Sequence, residues 1–204
     1  TGAIDALKIK YVVNLSSVGA HLKEKNGLIG GLNYSEDRLN KLKDVNMVHV
    51  RPSFFMENNL FNIGLIKQNG INGSPLKGDL PVPMIATKDI AAFIADLFIN
   101  LNFKGNIVRE LLGQRDVTMN EVTKILGKSI GKENLQYVQF RYEEAQKAML
   151  GSGFSQDVAR LFNEMYRGFN DGVIKPTEIR SSKNTTGTSI EEFAKEFAKI
   201  YSAA

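Results

Sequence analysis

Two short apolar runs on either side of a polar stretch constrain this chain more than any other feature. Lys10-Tyr-Val-Val-Asn-Leu-Ser-Ser17 ends in two hydroxyls, and Met47-Val-His-Val-Arg51 is stopped by Pro52. Continuous runs of this length fit strands buried on both faces, as in a parallel sheet. Proline has no backbone N–H and closes such a ladder. Between the runs lie a Gly-rich stretch, Gly27-Leu-Ile-Gly-Gly31, and a polar helix from about Asn33 to Lys43, with Leu39 and Leu42 facing inward. Strand, helix and strand make a βαβ unit, which requires parallel strands and a right-handed crossover.

The remainder continues in the same style and then turns helical. Phe54 to Gln68 reads as a helix, and Asn69 to Ser74, rich in Gly and Asn, as a loop. Pro81 and Pro83 bracket an extended stretch. Thr87 is expected to cap a helix whose apolar face is Ile90, Phe93, Ile94, Leu97, Phe98 and Leu101. Asn106–Leu112 and Leu135–Phe140 read as strands. Thr118-Met-Asn-Glu121 and Thr188-Ser-Ile-Glu191 have the spacing of capping boxes that open helices. Ser155 caps another helix, with Val158, Leu161, Phe162, Met165, Tyr166 and Phe169 on one face, and Ile179–Gly187 is a polar loop.

Several function classes are excluded or disfavoured. The 204 residues contain no cysteine, which removes disulfides, thiolate metal sites and a Cys nucleophile, and fits a reducing, cytoplasmic setting. No apolar run approaches the ~20 residues of a membrane span, and no basic segment followed by an apolar core marks a signal peptide. The net charge of +4 lies within the range of ordinary enzymes. Without a basic stripe interleaved with aromatics, nucleic acid is a poor partner. His21 and His49 are the only histidines and cannot hold zinc alone, so no metal site is expected. His49, inside a strand, reads as a hydrogen-bonded structural residue.

No Gly-x-Gly-x-x-Gly phosphate-binding turn occurs anywhere, and Gly127-Lys128-Ser129 lacks the earlier glycine of a nucleoside-triphosphate loop. Four segments nevertheless resemble, in order and spacing, the NmrA-like family of atypical short-chain dehydrogenases/reductases. They are Val12–Gly19, Val50-Arg-Pro-Ser-Phe-Phe-Met-Glu-Asn58, Pro83-Met-Ile-Ala-Thr-Lys-Asp-Ile-Ala91, and Leu112-Gly113 with Thr118-x-x-Glu121. The resemblance implies an α/β fold. A Rossmann-like parallel sheet would lack about three N-terminal βα units of roughly 30 residues each, and a smaller, mostly helical substrate lobe would follow. On this reading 1–80 is the C-terminal part of the NAD(P)-binding domain, with pieces returning over 84–112, and 113–204 is the lobe.

The same resemblance suggests where chemistry would lie. In related reductases, hydroxyls like Ser16 and Ser17 approach the substrate carbonyl or the nicotinamide; the alternative for both is a turn cap. Tyr34-Ser-Glu-Asp-Arg38 has Tyr and a base on one helix face, so Ser17, Tyr34 and Arg38 are the catalytic candidates. Arg38 replaces the usual lysine, and a surface pair is the alternative. Asn14, Ser16, Ser17, Arg51, Pro52 and Phe54 are cofactor-binding candidates for NAD or NADP, and Val18, His21, Phe55 and Asn58 are substrate-binding candidates. One of Phe54 and Phe55 should face a cleft and the other the core, while Glu57 caps or orients the turn. The implied function is an NAD(P)-dependent oxidoreductase or epimerase-like protein acting on a small carbonyl, quinone or nucleotide-sugar substrate. The alternative is a non-catalytic NAD(P) sensor with a protein partner. A parallel sheet with an open edge also suits a homo-oligomer.

Overall fold

The computed structural model describes every residue from Thr1 to Ala204. In chain order its elements are α1 (Gly2–Ala6), β1 (Tyr11–Leu15), α2 (Gly30–Leu39), β2 (Asn46–Pro52), β3 (Phe54–Phe55), α3 (Ile63–Asn69), β4 (Ile71–Ser74) and β5 (Val82–Ile85). They continue with α4 (Thr87–Asn100), β6 (Asn106–Leu111), β7 (Asp116–Val117), α5 (Met119–Ser129), β8 (Gln136–Gln139), α6 (Tyr142–Gly151), α7 (Gln156–Asn170) and α8 (Ile190–Ala203). Two 3₁₀ segments, Gly27–Ile29 and Met56–Asn62, precede α2 and α3.

The βαβ unit is present. β1 pairs with β2 and β2 with β6, all parallel, with Val13 opposite Val48 and Val50 opposite Arg109. β2 lies in the middle and is buried from Met47 to Pro52. β1 differs from expectation: it is only half-buried, because it lies at the edge and gives the core little beyond Tyr11 and Val13. α4 covers one face of the sheet, setting Ile90 and Leu97 against Val48, Val50 and Phe103. Tyr11 meets Phe103 edge-on, with ring centres 5.4 Å apart.

A larger core belongs to the lobe. Val122 and Leu126 of α5 meet Ile190, Phe193 and Phe197 of α8. Met56, Ile63, Ile66 and Leu76 join this core, so the 56–76 stretch, expected with the sheet, packs with the lobe. Within that stretch the single helix expected over Phe54–Gln68 is instead β3, a 3₁₀ segment and the short α3. The expected loop at Asn69–Ser74 is largely β4, paired in parallel with β8.

Helix starts follow local chemistry with three revisions. Thr118 and Ser155 cap α5 and α7 as expected, their hydroxyls accepting from the Glu121 and Val158 N–H groups. The α8 cap is Ser189, because Thr188 donates its hydroxyl to Asp89 instead. Thr87 does not cap α4 either. Its N–H and hydroxyl both donate to Glu57, which closes that helix start from 30 residues away in sequence. Finally, α2 begins and ends earlier than expected, and its buried residue is Glu36.

Candidate functional site

The carboxyl ends of β1, β2 and β6 form one edge of the sheet, where ligands bind in open α/β folds. The β1–β2 ladder runs past the end of the strand: Ser16 N–H donates to the Val50 carbonyl at 2.7 Å, and Val18 N–H to that of Pro52 at 3.0 Å. Residues 16–18 and 51–54 are thereby held side by side.

Beneath this edge lies a buried ion pair. Arg51 Nε donates to Glu36 Oε1 at 2.9 Å, its Nη2 donates to Oε2, and Ser16 Oγ donates to Oε1 at 2.5 Å. Glu36 is 4% exposed and Arg51 9%. Burial alone pushes the Glu36 carboxyl up, but the hydrogen bonds from Arg51 and Ser16 outweigh it and hold it below the usual range. Next to it, His49 Nδ1 accepts from Asn14 Nδ2 and its Nε2 donates to Asn40 Oδ1, both at 3.0 Å. Burial lowers the His49 pKa, with the nearby Glu36 charge opposing, so the ring is neutral. The network ties the ends of β1 and β2 to α2.

Asn14, Ser16 and Arg51, all cofactor-binding candidates, have these side chains engaged inside the protein. The Arg51 guanidinium points at Glu36 and offers no free fork to a phosphate. Ser17 is half-buried, and its hydroxyl donates to the carbonyl of Val18 at 2.9 Å. Pro52 is buried and contributes its carbonyl to the ladder.

Above the edge, a cleft of about 190 Å³ opens between the sheet and the lobe. Val18, Ser53 and Phe54 form its floor, with Phe169 of α7 and the segment from Gly172 to Pro176 on the lobe side. Phe54 meets Phe169 edge-on, with ring centres 6.2 Å apart. Phe55 points the other way, into the core beneath α4, so Phe54 takes the cleft position and Phe55 the core position. Asn58 is half-buried in the 3₁₀ segment and His21 is exposed in the turn after β1; neither lines the cleft.

Tyr34 and Arg38 stay outside it as well. Tyr34 is 62% exposed on α2, and its phenol oxygen accepts from Arg38 Nη1 at 3.0 Å. That hydrogen bond, helped by the Arg38 charge, lowers the phenol's pKa. The pair has the electrostatics expected of it without the location.

A strap over residues 172–188 closes the lobe side. Glu110, at the end of β6 and 1% exposed, accepts from the N–H groups of Thr177 and Glu178, both at 2.9 Å, and from the Thr177 hydroxyl at 3.0 Å. Arg180 donates to the carbonyls of Leu112 and Gly113 and pairs with Asp116. Ile174 sits in a small core with Val18, Ala20, Ile29 and Leu112.

Neither Glu36 nor Glu110 stood out in the sequence. A signal for Glu36 existed: it lies three residues before Leu39, on the helix face read as inward, and an acid there requires a buried cation. Arg51 is that cation.

The profile of the NmrA-like family matches residues 43–199. An NAD(P)H azoreductase from Xenophilus azovorans is 30% identical over 159 residues, which is 76% of this chain and 52% of the relative. The chain thus spans about half the length of that curated relative. Among solved structures, an NADPH-dependent quinone oxidoreductase from Escherichia coli is similar with a TM-score of 0.78 at 20% identity, over 96% of this chain and 70% of that one. NmrA, a negative transcriptional regulator solved with NADP, gives 0.68 at 15% identity, over 97% and 67%. At these identities the two structures establish a shared fold.

Proposed function

This chain belongs to the NmrA-like family, and from that membership we propose that it forms the substrate-facing part of an NAD(P)H-dependent reductase of small carbonyl or quinone compounds. The cleft carries the reading. It lies at the carboxyl edge of a parallel sheet, between that sheet and a helical lobe, where Val18, Ser53 and Phe54 converge. The azoreductase and quinone oxidoreductase among its relatives support reduction as the chemistry.

The residues fit one end of a dinucleotide. Val18 and the Phe54 ring offer an apolar face suited to a nicotinamide, which leaves the side of the cleft toward Lys175 for substrate. For the phosphates this chain presents neither a Gly-rich turn nor a free guanidinium at the edge, since Arg51 is paired with Glu36. When bound, the dihydronicotinamide supplies a hydride. The chain's residues provide placement: Phe54 and Phe169 would contact its ring, Ile174 and Pro176 would exclude water, and the Arg51–Glu36–Ser16 network fixes the two strand ends. Rigid placement of this kind lowers the entropic part of the barrier.

One observation favours a second reading, an NAD(P) sensor acting on a protein partner. The Tyr34–Arg38 pair, which would donate a proton in a catalytic member, lies outside the cleft. The two readings separate in one assay on the intact natural protein, with NADPH binding followed by fluorescence and its oxidation followed with menadione. Binding with turnover is the expected result. Binding without turnover selects the sensor, and no binding at millimolar NADPH overturns both.

A further inference from the structure

Ser53 is the first residue after β2 and is 8% exposed. Its N–H donates to the carbonyl of Leu111 at 2.9 Å, yet its hydroxyl has no hydrogen-bond partner. Buried hydroxyls without partners are uncommon and costly, so each calls for an explanation. The position supplies one. Ser53 forms part of the cleft floor between Val18 and Phe54, and one step between staggered χ1 wells turns a serine hydroxyl toward a different neighbour.

Lys175 lies on the opposite wall. It forms no ion pair, while its backbone is fixed on both sides by buried Ile174 and by Thr177 bound to Glu110. The carboxylate in that wall, Asp116, is already paired with Arg180. The cleft therefore carries one unbalanced positive charge at its rim, and the unpartnered Ser53 hydroxyl, buried behind its floor, reaches it through that χ1 step. Its remaining surfaces are largely apolar, including Phe54, Phe169, Pro81, Pro83 and Pro176. A volume of about 190 Å³ is below the roughly 300–1,000 Å³ of sites for drug-sized ligands, so the occupant is small.

We propose that this cleft binds a small aromatic ketone or quinone bearing a carboxylate or sulfonate. The carbonyl oxygen accepts from Ser53 Oγ and the acidic group faces Lys175. The proposal rests on the reductase reading for the identity of the ligand as substrate, and it assigns Ser53 and Lys175 as the residues that select it.

Ligand-observed NMR titration tests it without turnover, using para-acetylbenzoate, its neutral counterpart para-acetylbenzamide, and para-isopropylbenzoate, which keeps the acid but lacks the carbonyl. The wild-type protein should bind the acetylbenzoate about fivefold more tightly than the amide, and Lys175→Gln should erase that preference. Ser53→Ala should weaken the acetylbenzoate about fivefold and leave the isopropyl compound unchanged. Circular dichroism melts identical to wild type establish that both variants fold. Three results would each overturn the proposal: no binding at millimolar probe, a charge preference that survives Lys175→Gln, or equal weakening of both acids by Ser53→Ala. Should nicotinamide, titrated in parallel, alone respond to Ser53→Ala, the hydroxyl serves the cofactor's carboxamide and the assignment to substrate fails. Loss of NADPH oxidation with these titrations intact would defeat the reductase reading and leave the binding site standing.

Discussion

Glu36 and Arg51 illustrate how much a single pair can decide. Each is buried, so removing one partner leaves the other charge uncompensated, at a cost of about 3–5 kcal/mol. Arg51→Met should therefore lower the melting temperature sharply, and Glu36→Leu combined with it should recover most of the loss, as measured by thermal denaturation. The same groups set an acid limit. The pKa of His49 is lowered on folding, so its contribution is complete above the unfolded value of 6.5 and declines as the pH falls below it. The Glu36 contribution is complete above the unfolded value of 4.5 and is lost as the pH falls further. Denaturation across pH should show two successive losses, the lower one reduced in the Glu36→Leu/Arg51→Met protein to the share of Asp89, whose carboxyl, despite burial, the Thr188 hydrogen bonds also hold below its usual range. Arg51 and Ser16 were legible in the sequence as residues of the sheet edge. Their engagement with Glu36 was hidden because the acid lies in a polar helix, where charge usually means solvent.

At the level of elements, local pattern succeeded where one strong period ran uninterrupted, as in β2 and α7, and in part in β1, which is half-buried at the sheet edge, and α4, whose Phe98 and Leu101 are exposed. It failed between Phe54 and Ser74, where long-range partners decide. Phe54 and Phe55 pair with Met84 and Ile85, which draws them out of a helix. Asn72 fits a buried strand because its amide donates to Thr123 Oγ1 at 2.8 Å and its oxygen accepts from Asn62 at 2.7 Å. Gly73 is there because a Cβ would meet the Phe140 ring at 2.5 Å; composition alone made this segment a loop. The glycine-rich stretch before α2 likewise serves packing. Gly27 has φ +56°, and a Cβ on it would lie 2.1 Å from the Leu161 carbonyl of α7. Gly27→Ala should push the 3₁₀ turn off α7 and destabilise the protein by more than about 1 kcal/mol in urea denaturation; an unchanged midpoint would show that this contact yields freely.

For the whole molecule, the relation of sheet to lobe matters most. The family and its α/β fold were readable from four segments spread across the chain. The cleft was readable only in part, because Val18 and Phe54 come from the sheet while its far wall belongs to a strap with no periodicity. That strap depends on Glu110. Glu110→Ala leaves the N–H groups of Thr177 and Glu178 without their acceptor, and hydrogen exchange should accelerate at those two amides while α4 stays protected. Uniform acceleration would instead mean that Glu110 supports the entire fold. No helix is long and apolar enough to cross a membrane.

The proposed reductase does its chemistry in the cleft over Phe54 and away from Tyr34. Steady-state NADPH oxidation with menadione, compared between wild type, Phe54→Ala and Tyr34→Phe of the intact natural protein, tests it most directly. Phe54→Ala is expected to lower kcat/KM by about tenfold or more, a loss of ~1.4 kcal/mol of transition-state stabilisation, while Tyr34→Phe stays near wild type. Loss of turnover in Tyr34→Phe with Phe54→Ala unaffected would contradict it and return the active site to the exposed face of α2.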